Sequence, residues 1–262
     1  MDLVFFAGPV IVGTSFQSID WEGRDVRIVP IVGAGSSTFS ALADSLNTNG
    51  SILDGMLARY AKVDARSVQR IAVCAYSAGH GLVSKLLTLP GDRARIDAVV
   101  LSDASYDALG TRSAKPGYLA YALEAAEGRH RMVSTTGNTT DGSYLSAAQS
   151  WGLVFGEVEA LRGAASEVRP PSPVPAASGG WWRKGELYWG QYTVPGSPAN
   201  SGNDFTHGGQ HDIAPLVWQG YLAPWLARSE TAPYLLAGAA FGGLAWLAST
   251  AFGVGAWAAR RK

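Results

Sequence analysis

The sequence predicts an α/β fold, with a mostly parallel sheet and helices on both of its faces. Short apolar runs rich in β-branched residues alternate with segments whose apolar residues recur at helical spacing. Strands that alternate with helices are joined by crossover connections, which make neighbouring strands parallel. The chain has 262 residues, 47% of them hydrophobic, so it can enclose a large core.

The predicted elements follow one another with few interruptions. Strands are expected at 3–7, 26–32, 70–75, 96–101 and 131–135, and helices at 51–61, 78–89, 116–128 and 145–161. Pro30 predicts that the second strand is an edge strand or carries a bulge, because proline cannot donate a ladder hydrogen bond. An aromatic strand-like run covers 181–192, and a last helix is expected from about 212 to 227.

Residues 166–180 break this alternation. The segment has four prolines and a Gly-Gly pair, which exclude a helix or a central strand. Within one domain such an excursion is either a candidate lid or wall over a site, or a plain surface loop.

Charge and cysteine content exclude several function classes. The 21 Lys and Arg residues balance the 21 Asp and Glu residues, and a chain without excess basic charge is not expected to bind nucleic acid. The single cysteine, Cys74, rules out an intrachain disulfide, and no Cys/His spacing suggests a zinc site. We therefore expect no metal and no cofactor.

The most informative motif lies where the third predicted strand meets a helix. Ser77 stands between Ala75 and Gly79, and both neighbours are small enough for a sharp turn that lifts the serine out of the sheet. This A-x-S-x-G pattern resembles the nucleophile elbow of α/β-hydrolases, which is usually G-x-S-x-G. The alternative is an ordinary strand-to-helix turn in a Rossmann-like sheet.

The resemblance covers about residues 2–227 and is to the superfamily. It implies that Ser77 attacks an ester, with an amide as the less favoured alternative, and forms an acyl-serine intermediate that water then hydrolyses. It also implies a catalytic triad in the chain order serine, acid, histidine. The acyl group is not identified, because one fold supports many chemistries.

Two histidines are candidates for the base, which the resemblance places between the last strand and the last helix. The segment 201–212 contains His207 and His211. We favour His207, because it lies in the predicted loop Asn-Asp-Phe-Thr-His-Gly-Gly, and keep His211 as the alternative near the helix start. His80 could contact substrate or pack on its helix, and His130 is expected to be structural.

Two aspartates are candidates for the acid, which must bond the imidazole. Asp103 directly follows the predicted strand 96–101 and its Ser102, at a strand's carboxyl end. Asp141 follows the next strand, which is the commoner position in the family, but it lies in a polar turn where Asp is frequent for local reasons. We favour Asp103 and keep Asp141 as the alternative.

The resemblance places the oxyanion hole at two backbone amides. One is the N–H of Ala78, and the other comes from the loop after the first strand, where Gly8 or Val10 is the donor because Pro9 has none. Residues 33–35 (Gly-Ala-Gly) are a competing loop. The family's usual His-Gly start of this loop is replaced by Ala7-Gly8.

The end of the sequence predicts a membrane anchor. Residues 231–259 are 29 positions without a charge, and three basic residues follow them. Because about 20 apolar residues cross a bilayer as a helix, we expect one transmembrane helix at 233–258. Gly238 and Gly242 have the G-x-x-x-G spacing that allows two such helices to associate. The alternative is a buried, Ala- and Gly-rich core helix.

These expectations define a hydrolase-like domain at 1–228 and a membrane segment with a basic tail at 229–262. The predicted protein is a single-pass, membrane-anchored serine hydrolase whose substrate is a small-molecule or lipid-like ester. The side of the membrane stays open, because the basic tail favours a cytoplasmic C-terminus whereas the first residues lack the pattern of a signal peptide. The alternative function is a non-catalytic binding or structural membrane-associated protein, such as a virion component, on a hydrolase scaffold.

Overall fold

The computed structural model describes residues 1–9, 14–137, 142–192 and 207–228. Ten strands lie within these ranges. In chain order they are β1 (Asp2–Gly8), β2 (Val26–Val32), β3 (Ile71–Tyr76), β4 (Ala98–Ser102), β5 (Asp107–Ala108), β6 (Arg131–Gly137), β7 (Tyr144–Leu145), β8 (Ser166–Glu167), β9 (Trp181–Lys184) and β10 (Leu187–Tyr192).

Eight of these strands form one sheet in the order β2-β1-β3-β4-β6-β10-β9-β8. The first six strands in this order, β2, β1, β3, β4, β6 and β10, are parallel. Strands β9 and β8 complete the sheet and pair antiparallel. The prediction of a mostly parallel sheet is therefore confirmed. Pro30 lies in β2, which is an edge strand. A proline is tolerated there because an edge strand pairs on one side only, so the sheet does not need the N–H that proline lacks. Strands β5 and β7 pair separately as a short antiparallel ribbon.

Nine α-helices lie in the described part of the chain. They are α1 (Thr14–Gln17), α2 (Ser36–Leu46), α3 (Ile52–Met56), α4 (His80–Leu86), α5 (Pro90–Arg93), α6 (Pro116–Ala126), α7 (Ala147–Arg162), α8 (His207–Val217) and α9 (Ala223–Ala227). Wider π-type turns extend α3 over Leu57–Ala61 and join α8 to α9 over Trp218–Leu222.

Alternate residues of the central strands face two separate cores. Leu3 and Phe5 of β1 belong to one core, which is shared with α2, α3, α4, α6 and α7. Val4 and Phe6 belong to the other, which is shared with α1, α8, α9 and the turn between the last two. This period of two is what a strand covered on both faces requires. The prediction of helices on both faces of the sheet is confirmed.

Two predicted helix starts are wrong. The helix expected from 145 begins at Ala147, because Leu145 pairs in β7 and Ser146 forms a capping box with Gln149. The helix expected from about 212 begins at His207, so His207 is helical and not in a loop.

The excursion at 166–180 packs against the C-terminal helical region. Its Val174 is buried, and a Cβ placed on Gly220 would lie 2.6 Å from the Val174 side chain. Strand β8 lies at its start and pairs with β9. A lid role for this segment stays a prediction.

Residues Met1–Ala227 form one compact unit. Among the described residues, no helix combines the length and the apolar character needed to cross a bilayer. The predicted span at 233–258, with Gly238 and Gly242, lies outside the described residues.

Candidate active site

Ser77 occupies the sharp strand-to-helix turn that the sequence predicts. It directly follows β3 and opens a single 3₁₀ turn, Ser77–Gly79, that leads into α4. Its φ angle is +53°, in the left-handed region that residues other than Gly, Asn and Asp rarely adopt. Backbone conformations of this kind occur at functional sites, where the surrounding structure holds them in place.

Gly79 holds the turn against the neighbouring strand. A Cβ at this position would lie 2.0 Å from the carbonyl oxygen of Ala7, at the end of β1. No side chain fits at that distance from a backbone atom, so the motif requires glycine here. The turn is therefore seated directly beside the point where β1 ends.

Gly79→Ala should therefore destabilise the fold by about 2–3 kcal/mol, since the added methyl forces β1 and the turn apart. Urea unfolding of the variant and the wild type measures this difference. Gly156→Ala is the matched control, because a Cβ at Gly156 has no atom within 4 Å and alanine is the better helix former. Equal stability of Gly79→Ala and the wild type would contradict this packing.

A cavity of about 600 Å³ opens beside Ser77. Ser77, Ala78 and His80 line it from the turn and the start of α4, and Ser36 lines it from the start of α2. The rest of the wall comes from the β5–β7 ribbon and the residue before it: Tyr106, Asp107, Ala108 and Tyr144. A serine at the carboxyl end of a central parallel strand thus faces a space of ligand size.

Asp103 directly follows β4, the strand that pairs with β3. Tyr76, the last residue of β3, pairs with Ser102, the last residue of β4. Ser77 and Asp103 each come directly after one of these paired residues, at the same end of the sheet. Asp103 is fully buried and has a φ of +46°. Its carboxylate accepts hydrogen bonds from the Gly137 N–H at 2.9 Å and from the Tyr106 hydroxyl at 2.5 Å.

Tyr106 connects the buried carboxylate to the cavity, a role that the sequence did not reveal. Its hydroxyl bonds Asp103, while its ring lines the cavity and meets the Tyr144 ring edge-to-face at 5.0 Å. Burial and the charge of Asp103 raise the pKa of Tyr106 well above its ordinary value, so the phenol stays a donor. The sequence does contain a signal for this contact, since a tyrosine follows the strand-end aspartate by three residues.

The two candidate histidines lie one helical turn apart on α8. The helix begins at His207, and the structure describes the backbone of this residue but not its side chain. The His211 ring packs edge-on against Tyr76 at 5.1 Å and Phe16 at 6.2 Å. Its Nε2 is buried with no hydrogen-bond partner among the described residues, and its Nδ1 lies 3.7 Å from the Asp212 carboxylate.

Gly8, expected in the oxyanion loop, is the last residue of β1 and lies beside the turn. Ala7 pairs with Ala75, and a Cβ on Gly8 would lie 3.5 Å from the carbonyl oxygen of Tyr76. Val10 and Asp141 both lie outside the described residues.

His130 lies apart from this group of residues, stacked on Tyr121 at 5.0 Å. Burial lowers the pKa of His130. Among the described residues, no group of three His, Cys, Asp or Glu side chains is placed to hold a metal ion.

A second polar group, centred on Lys115, contacts residues that line the cavity. Lys115 Nζ lies 3.2 Å from the Asp107 carboxylate and 3.5 Å from His80 Nδ1, and it donates to the backbone oxygen of Tyr106. Burial, with the charge of Lys115, lowers the pKa of His80 to about 3. Burial also lowers the pKa of Lys115, and Asp107 opposes that shift. His80 is therefore a neutral imidazole throughout the physiological range.

His80→Gln should flatten the pH dependence of stability below neutrality. The unfolded chain binds a proton at His80 below about pH 6.5 and the folded chain does not, so the wild type loses up to about 1.4 kcal/mol per pH unit as pH falls from 6.5 towards 3. Glutamine stays neutral and can still accept from Lys115. Denaturant unfolding between pH 4.5 and 7.5 compares the two slopes, and equal slopes would contradict the buried neutral imidazole.

No protein-family model matches the chain, and no curated protein sequence matches it. Among solved structures, a similar chain is the LpqC poly(3-hydroxybutyrate) depolymerase from Bordetella parapertussis. The match has a TM-score of 0.41 and 14% sequence identity, and it covers 83% of this chain and 78% of that chain. Likeness at this level carries no argument about function, so the α/β assignment rests on the sheet and helices of the chain itself.

Proposed function

We propose that this protein is a serine hydrolase that cleaves ester bonds through an acyl-serine intermediate. The observation that carries the proposal is the position of Ser77. It is held at a left-handed φ on a strand-to-helix turn and it lines a cavity of about 600 Å³. A buried aspartate at the end of the adjacent strand supports the same conclusion, because a triad needs a carboxylate within reach of its histidine.

In this proposal the Ser77 Oγ attacks the ester carbonyl carbon while its proton passes to a histidine. The carbonyl π electrons move to oxygen, and the N–H of Ala78 stabilises the resulting oxyanion together with an amide from Gly8 or Val10. Collapse of this intermediate breaks the bond to the alcohol, which leaves with the proton from the histidine. Water, deprotonated by the same histidine, then hydrolyses the acyl-serine and restores the Ser77 hydroxyl.

We assign the base to His207, with His211 as the alternative, and the acid to Asp103, with Asp141 as the alternative. The Tyr106 hydroxyl and the Gly137 amide support Asp103, because two donors hold its carboxylate in one orientation. The acid's role is to fix the imidazole tautomer and to stabilise the imidazolium that forms after proton transfer. The start of α8 at His207 brings both candidate histidines into one helix.

Reaction with a fluorophosphonate probe tests this proposal. The probe phosphonylates only an activated serine, and fluoride leaves. We expect stoichiometric labelling of the native protein, with the adduct mapped by mass spectrometry to the peptide that contains Ser77. Heat-unfolded protein should not react. Absence of labelling in the native protein would favour the non-catalytic binding or structural function.

We further propose that residues 233–258 anchor this domain in a membrane as a single-pass helix. The support is the sequence, with 29 uncharged residues followed by three basic ones. Truncation after Arg228 should yield a domain that stays in solution without detergent and still reacts with the probe, because residues Met1–Ala227 form one compact unit. The full chain should instead sediment with vesicles. A truncated chain that unfolds would contradict the anchor.

A further inference from the structure

The charged side chain among the described residues that line the cavity is paired with a residue outside that lining. Asp107 is the acidic residue of this wall, and its carboxylate lies 3.2 Å from Lys115 Nζ. Both side chains are largely shielded from water, with exposed fractions of 11% and 21%. The imidazole of His80, 3.5 Å from the same Nζ, carries no charge. The wall therefore offers hydrogen-bonding groups and two aromatic rings without a net charge.

We propose that the Asp107–Lys115 pair is the specificity determinant of the Ser77 cavity, and that it selects esters whose cavity-filling part is uncharged. This inference rests on the proposed esterase function and names the class of its substrate. A charged substrate group would lose its hydration in the cavity, where the carboxylate of the lining is already paired with Lys115. A charged substrate group would therefore bind less tightly than an uncharged one. Protein interfaces exclude wrong partners in the same way, by leaving a charge of the partner unpaired.

The pair is also positioned by its surroundings. Lys115 donates to the Tyr106 carbonyl and lies 5.8 Å above the Tyr118 ring, so two contacts hold its ammonium beside Asp107. Asp107 pairs with Leu145 in the β5–β7 ribbon, which fixes its main chain at the cavity. Loss of the Asp107 charge therefore leaves the Lys115 ammonium unpaired next to the cavity lining, and loss of Lys115 leaves the Asp107 carboxylate unpaired in it.

The test uses three 4-nitrophenyl esters with acyl chains of matched length that end in a methyl group, a carboxylate or a trimethylammonium. A second series keeps one acyl group and places the same charges on the alcohol. We expect the full-length wild type to favour the neutral ester by about tenfold or more in kcat/KM, in the series whose varied part fills the cavity.

Asp107→Asn should leave the Lys115 charge unpaired and raise relative kcat/KM for the anionic ester by about tenfold. Lys115→Met should do the same for the cationic ester. The double variant restores neutrality and should return to the wild-type preference. Asparagine has the shape of aspartate, so Asp107→Asn is expected to fold. The measurement with the anionic ester therefore tests the proposal even if Lys115→Met fails to fold.

Lys85→Met and Asp44→Asn are the matched controls. These residues form an exposed ion pair at 2.7 Å between α4 and α2, and neither lines the cavity. The controls should keep the wild-type selectivity. Active single variants at Asp107 and Lys115 with unchanged ratios in both series would overturn this inference, whereas a wild type that hydrolyses no ester and fails to react with the probe would overturn the proposed function itself.

Discussion

Ser77→Ala should lower ester turnover by about 10⁴-fold or more, because loss of the nucleophile leaves only binding and oxyanion stabilisation. Labelling by the fluorophosphonate should disappear. The fold should be retained, because alanine removes only the hydroxyl. Alanine and serine both carry a Cβ, so the left-handed φ costs about the same for either residue. Turnover, labelling and the unfolding midpoint together measure these outcomes.

Ser36→Ala is the control for this substitution. Ser36 lines the same cavity at the start of α2, so its loss changes the cavity wall without removing the nucleophile. We expect labelling to persist in this variant. Undiminished labelling of Ser77→Ala, or an adduct that maps to Ser36, would show that the turn has been assigned the wrong role.

The parts of this fold that could be predicted are those with a local cause. The strand before Ser77 shows as an apolar run, and the turn shows as small residues on both sides of the serine. Gly79 is required by a contact with Ala7, and its presence could be predicted from the motif although its partner could not. The edge position of β2 could likewise be predicted from Pro30, because proline lacks the donor that a central strand needs.

Other features depend on contacts between residues that are far apart in sequence. Asp107, which lines the cavity and meets Lys115, is held in the β5–β7 ribbon, and that ribbon has two residues on each side. So short a pairing leaves no periodic pattern to detect. The bond from Tyr106 to Asp103 depends on a turn after β4 whose geometry the local sequence does not specify.

The start of α8 shows how tertiary packing overrides local propensity. Two glycines after His207 favour a loop on propensity alone. The apolar residues Ile213, Ala214 and Val217 are nevertheless buried against the sheet, and their burial stabilises the helix from His207 onwards. The prediction of a loop failed because this burial could not be anticipated from the residues before it.

His207→Ala should lower kcat/KM by about 10³-fold or more while changing the unfolding free energy little, because a triad base acts on the reaction and not on the fold. His211→Ala should show the opposite pattern. Its ring is packed between Tyr76 and Phe16, so truncation leaves a cavity that costs about 1–3 kcal/mol of stability. Kinetics and denaturant unfolding on both variants separate the two roles.

Added imidazole strengthens this comparison, because it can enter the space left by a truncated catalytic histidine and accept the Ser77 proton. We expect it to restore part of the activity of His207→Ala and none of the stability of His211→Ala. If the kinetic loss and the rescue both belong to His211, then His211 is the base, and its buried Nε2 without a partner among the described residues is the atom that accepts the proton. If neither substitution slows the reaction, Ser77 acts without a histidine and the triad mechanism is wrong.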